Sequence, residues 1–208
     1  MLEQSVRQYY QATLVDPLVR FIGHRISPIS VTLLAGVFGI LFIPFLLTDH
    51  TIWAVACLLF SGYLDTLDGS LARHQNNSTA LGSVLDIMAD RLVEFSVIFA
   101  FYLVDPIQHG LAAILMLGSI LLCITSFLVV GIFTPNDSHK SFHYSPGLIE
   151  RAEAFVFFIV MTLVPHYFKP LAFIFTGLVI LTAGIRLLQF AKAHRLMQSI
   201  QEQADASL

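Results

Sequence analysis

Asp65, Asp68, Asp86 and Asp90 stand close together in a chain that is otherwise built to dissolve in lipid. An aspartate at the centre of a membrane helix costs about 2.5–3.5 kcal/mol on insertion scales, so four in one stretch need something that binds them. Hard carboxylate oxygens in this number suit Mg²⁺, Mn²⁺ or Ca²⁺ rather than zinc. Four carboxylates can hold two ions about 3.5–4 Å apart, the spacing of two-metal phosphoryl-transfer sites. Magnesium usually binds through a few carboxylates plus substrate phosphates, which gives the neighbouring Arg73 a use as a phosphate ligand. Gly69, Ala72 and Gly82 lie between the acids and leave room for a ligand to press against the backbone.

The elements that position these residues are helices. Of 208 residues, 56% are hydrophobic and only 12% charged, about half the usual share for a soluble domain. With a mean hydropathy of +0.78 this is an all-α integral membrane protein. No basic patch with interleaved aromatics appears, so nucleic acid is not expected as a partner. No signal-peptide pattern opens the sequence: Glu3, Gln4, Arg7 and Gln8 precede any long apolar run.

Val6, Tyr9, Tyr10, Leu14, Leu18 and Phe21 recur at helical spacing, which predicts an amphipathic helix on the membrane surface over residues 1–25. Ser27 and Pro28 then mark a helix start, and apolar sequence follows to Leu47. Further helices are expected over 51–73, 81–104, 107–133, 148–164 and 171–191. The apolar part of the second, 52–64, spans only if Asp65 to Arg73 continue it. The expectation is one domain over 1–208: an interfacial helix, a bundle of six transmembrane helices over 27–194, and a tail over 195–208. Arg7, Arg20, Arg25, Arg73, Lys140, Arg151, Arg186, Lys192 and Arg195 fall on one side and Lys169 on the other. The positive-inside rule therefore puts both termini and the aspartate hairpin in the cytoplasm.

Depth and phase are consistent with a site. If the second and third spans form a hairpin turning at 77–78, Asp65 and Asp90 lie about 12 residues either side of the turn and Asp68 and Asp86 about nine. The acids then pair at matching depths. At about 100° per residue, Asp65, Asp68, Gly69 and Ala72 share one face, and Gly82, Asp86 and Asp90 share another.

Asp65-x2-Asp68-Gly69-x2-Ala72-Arg73-x8-Gly82-x3-Asp86-x3-Asp90 resembles the signature of the CDP-alcohol phosphatidyltransferase family, and every motif position matches. The resemblance implies an enzyme of phospholipid biosynthesis. It would move a phosphatidyl-type group from CDP-diacylglycerol or a similar CDP-linked lipid to a small polar alcohol, releasing CMP. It also implies a divalent cofactor, Mg²⁺ or Mn²⁺, as two ions, and a homodimer in a bacterial inner membrane. Asp65, Asp68 and Asp86 would be metal ligands, and Asp90 both metal ligand and general base. Gly69, Arg73 and Thr79 match positions that contact the CDP-lipid, while Ala72 and Gly82 would leave room for the nucleotide. Ser30 and Thr32 resemble polar positions of the family near a helix start and are candidate nucleotide contacts. Glu94, one turn beyond Asp90, is a candidate to hydrogen-bond the site or pair with Arg91.

Lys140, His143 and Arg151 are the cations that would hold an acceptor phosphate or carboxylate at the cytoplasmic mouth. Glycerol 3-phosphate, serine, an inositol phosphate, ethanolamine and choline all remain open as acceptors. The reading from a different class is a metal-ion or proton-coupled transporter using the intramembrane acids. It leaves Arg73 and the small residues without a use.

Overall fold

The computed structural model describes residues 11–23, 25–77, 79–133 and 151–205. Every regular element among them is helical. A π-helical turn, Gln11–Val15, leads into α1, Asp16–Ile22. It is followed by α2, Pro28–Leu47, α3, Thr51–His74, and α4, Ala80–Val104. Then come α5, Pro106–Phe133, α6, whose described part is Arg151–Leu163, and α7, Phe168–Asp205. The chain divides into two compact units at Pro106 and Ile107.

The local signals behind these boundaries are physical. Pro28 opens α2 at a position whose missing N–H costs nothing. Ser27 occupies the cap position, but its hydroxyl makes no capping bond. Its backbone carbonyl instead accepts from the amides of Ser30 and Val31. Asp49, with φ of 59°, turns the chain between α2 and α3. Helix α3 continues unbroken through Asp65 to His74, so the length needed to span is present. It ends in a Schellman arrangement. Asn76 takes the left-handed conformation (φ 51°), its amide bonds the Arg73 carbonyl, and the Asn77 amide bonds that of Ala72. At the other end, α7 runs well past the expected 191, to Asp205.

Three stretches among the described residues are long and apolar enough to cross a membrane: Pro28–Leu47, Pro106–Phe133 and Pro165–Arg195. On α2, Leu33, Leu34, Val37 and Ile40 are exposed, an apolar surface suited to lipid.

In the first unit α2 is the common partner. It packs along both α3 and α4, which themselves touch little. Lipid tails are as apolar as leucine, so helices associate in a bilayer by close packing and by polar contacts. Both operate here. Val31 and Ala35 of α2 pack with Leu64, Leu67 and Leu71 of α3, and Ser61 Oγ donates to the Ala35 carbonyl at 2.8 Å. Val15 and Val19 join the same cluster, whereas Leu14 and Phe21, which the periodicity selects as one face, are exposed. An adjoining face of α2 meets α4 at Gly39, where an added Cβ would collide with the side chain of Val93. Gly39→Ala is expected to overpack this crossing by about 1–3 kcal/mol and to lower the apparent Tm in detergent. Val93→Ala in the same chain should recover most of the loss, as read by thermal unfolding.

Candidate active site

The site is built where the C-terminal end of α3 and the N-terminal end of α4 converge on the start of α2. Asp65 and Asp68 project from α3 and Asp86 from α4. One carboxylate oxygen from each comes within 4.8 Å of the other two. Asp68 is the most enclosed, with 5% exposure, and Asp65 and Asp86 are half-buried. Thr32 of α2 donates its hydroxyl proton to Asp68 Oδ2 at 2.5 Å and lies 3.2 Å from the Pro28 carbonyl. A hydroxyl has one proton, and the shorter contact to a charged acceptor takes it. Thr32 thus holds a carboxylate at the wall of the site.

The pairing by depth is only partly what is found. Asp68 and Asp86 meet, but Asp65 joins them, and Asp90 is not in the compact group. Depth along a helix axis does not report the distance between axes, and α2 holds α3 and α4 apart. Asp90 lies one turn beyond Asp86, half-buried, with the Arg91 guanidinium at 4.0 Å. Arg91 pairs more closely with buried Glu94, at 2.6 Å.

Beside the acids lies a cavity of about 200 Å³. Asp68, Gly69, Ala72 and Arg73 line it from α3, and Gly82, Ser83 and Asp86 from α4. Thr79 closes one end as the N-cap of α4: its Oγ1 accepts from the Gly82 amide at 3.0 Å, which leaves its own proton to donate. An added Cβ on Gly69 would meet only Arg73 Nη1, at 3.5 Å, so the guanidinium rests over the glycine at the cavity wall.

Thr32 lines this cavity, whereas Ser30 is exposed and is not among the described residues that do. Lys140 and His143 lie outside the described residues. Arg151 is the first described residue of α6, in the second unit, its guanidinium 5.5 Å from the centre of the Phe155 ring. Ser27, Ile29, Asn77 and Ser83 also line the cavity and were not singled out from sequence. Ser83 abuts Gly82 of the motif, and that adjacency is the signal that would have found it; Asn77 lies inside the eight-residue gap, where the sequence carries no such signal.

A divalent ion fits this donor set. Three hard oxygen donors converge, one of them is oriented by Thr32, and no sulfur or imidazole competes within the group. The family model described as CDP-alcohol phosphatidyltransferase matches residues 25–188. The chain belongs to the CDP-alcohol phosphatidyltransferase family. Members are enzymes that transfer a phosphatidyl group, and this chain is a membrane enzyme of that class. The transporter reading is thereby set aside.

A relative in this family is the inner membrane protein YnjF of Escherichia coli, 34% identical over 78% of this chain and 82% of its own length. Among solved structures, the fold is shared with Mycobacterium tuberculosis phosphatidylinositol phosphate synthase in complex with manganese and citrate. That match has a TM-score of 0.72 and 17% identity over 85% of this chain and 88% of the other. A second structure of that enzyme, with CDP-DAG bound, matches with a TM-score of 0.65 and 18% identity over 86% and 92%.

Thr32→Val removes the hydroxyl that orients Asp68 and leaves a shape of nearly the same size. Loss of such a partner is expected to weaken divalent-ion binding about 10–100-fold with helix content unchanged. Titration of the purified protein with Mn²⁺, followed by calorimetry and circular dichroism, checks this.

Proposed function

We propose that this enzyme transfers a phosphatidyl group from CDP-diacylglycerol, or a closely similar CDP-linked lipid, to the hydroxyl of a small polar alcohol and releases CMP. The observation that carries the reading is the gathering of Asp65, Asp68 and Asp86 beside a cavity walled by Gly69 and Gly82 and edged by Arg73. Asp65, Asp68, Asp86 and Asp90 would hold two divalent ions, Mg²⁺ or Mn²⁺. When bound, the ions draw charge from the pyrophosphate as the leaving group departs. Arg73 would pair with a phosphate of the CDP-lipid, and Thr79 would donate its remaining proton there. Ala72 and Gly82 leave space for the nucleotide, with Ser30 and Thr32 near its path. Asp90 would accept the proton of the acceptor hydroxyl. The hydroxyl oxygen then bonds to the lipid-bearing phosphorus, the bond from that phosphorus to CMP breaks, and the proton stays on Asp90.

The chain would act as a single membrane domain over 1–208 with six spans, both termini and the site cytoplasmic, in a bacterial inner membrane and as a homodimer. Helices α3 and α4, of 24 and 25 residues, are long enough to span, and Leu14 and Phe21 offer lipid an apolar face beside α1. Lys140, His143 and Arg151 would hold an anionic acceptor. Inositol phosphate, glycerol 3-phosphate, serine, ethanolamine and choline are the alcohols to screen, the first because the solved relatives are phosphatidylinositol phosphate synthases.

Purified protein in detergent with CDP-diacylglycerol should release CMP only when one of these alcohols and Mg²⁺ or Mn²⁺ are both present. Chelation should abolish release, and added ion should restore it. Asp90→Asn should lower kcat about 10²–10⁴-fold with the protein still folded. No CMP with any of the five acceptors, or full activity in Asp90→Asn, would sink the mechanism.

A further inference from the structure

Between Asp68 and Arg73 on α3 stands Ser70, buried at 6% exposure. Its hydroxyl has one proton and two lone pairs, and three bonds use them all. It donates to the Thr66 carbonyl at 3.0 Å. It accepts from Arg73 Nη2 at 3.0 Å and from Gln11 Nε2 at 3.2 Å. Arg73 is therefore tied at one arm of its fork: Nη2 bonds Ser70, and Nη1 lies over Gly69 at the cavity wall.

Arg73 also lines a second polar cavity, of about 380 Å³, together with Gln11, Asp16, Arg20, Ser70 and His74. Asp16 supplies a carboxylate there. Ser70 and Gln11 line this second cavity and not the first, so Arg73 stands at the boundary of the two, with Nη2 fixed on the Ser70 side and Nη1 over Gly69. Gln11 belongs to the N-terminal segment, which is attached to α3 at two further levels. Tyr63 Oη donates to the Leu14 carbonyl at 2.9 Å, and Gln75 Nε2 donates to the carbonyls of Gly23 and Ile26 at 2.8 and 2.9 Å. Those bonds read backbone. Gln11 to Ser70 joins two side chains, one of which also bonds Arg73.

We propose that Ser70 and Gln11 are positioning residues that fix the Arg73 guanidinium at the boundary of the two cavities, with Nη1 over Gly69, so that the N-terminal segment sets the grip on the CDP-lipid phosphate. The inference rests on the reading of Arg73 as a phosphate ligand. Untethered, Arg73 must be ordered at each binding event, so the cost falls on lipid binding and not on the chemical step.

The test uses the full-length enzyme in detergent micelles. Equilibrium binding of radiolabelled CDP-diacylglycerol is measured without acceptor, and steady-state kinetics with it. Ser70→Ala should raise Kd and KM for the CDP-lipid about three- to tenfold while kcat stays within about twofold. Ser70→Thr, which keeps the hydroxyl, should lie close to the parent enzyme. Gln11→Ala should move Kd the same way by a smaller factor, and it carries the test if Ser70→Ala does not fold. In an Arg73→Ala background, Ser70→Ala should add nothing, whereas a purely structural role would add its full effect. If Arg73→Ala weakens binding but neither Ser70→Ala nor Gln11→Ala does, the tether is overturned and the Arg73 reading stands. If Arg73→Ala has no effect, the underlying reading itself falls.

Discussion

Three carboxylates brought within 4.8 Å of one another repel, and the burial of Asp68 leaves little water there to weaken that repulsion. The first unit is arranged around this cost. Its three long helices do not pack as a closed bundle. Helix α2 takes both partners and keeps α3 and α4 apart, so the acids face a cavity rather than each other's backbone. Thr32 spends its proton on Asp68, the most buried of the three. The remaining offset would be a bound cation, the natural complement of converged hard oxygens, which would also supply charge stabilisation to the proposed transfer. Structural expense and function thus have one origin.

How close α2 can stand determines how wide that cavity is. A leucine-to-leucine crossing would push α4 outward and carry Asp86 away from Asp68. Gly39 removes that limit by letting Val93 lie almost on the α2 backbone, and Gly36 faces Ala89 one turn nearer the site. The polar tie from Ser61 to the Ala35 carbonyl does on the α3 side what close packing does on the α4 side. Residues far from the chemistry, on a helix with no motif acid, thereby fix the distance between acids on two other helices.

Much of this was legible in the sequence where the signal is local. Ser27 and Pro28 mark the start of α2 through their own backbone preferences, and the observed helix opens at Pro28. The regular spacing of Asp65, Asp68, Gly69 and Ala72 declared one face of α3, and all four lie at the site. What could not be read was lateral. Thr32 lies 36 residues from Asp68, and no periodicity announces such a partner. Depth arithmetic placed Asp65 opposite Asp90, yet Asp65 gathers with Asp68 and Asp86, because the wedge of α2 enters no one-dimensional count. Likewise the apolar stripe through Leu14 and Phe21 pointed to one face of the N-terminal helix, while Val15 and Val19 are what the core buries. A helix apolar on two sides shows its period but not its partner.

The turn between α3 and α4 works as a fixed-length clasp. Asn76 and Asn77 complete the end of one helix, and Thr79 completes the start of the next. Almost every residue between Arg73 and Gly82 is therefore committed to a helix end. The eight-residue gap in the motif acts as a ruler: lengthening it by one residue would rotate Asp86 by about 100° away from Asp68. The segment looks like a surface loop suitable for a tag or a graft, but in mechanical terms it is the gauge that sets the register of the two acidic helices.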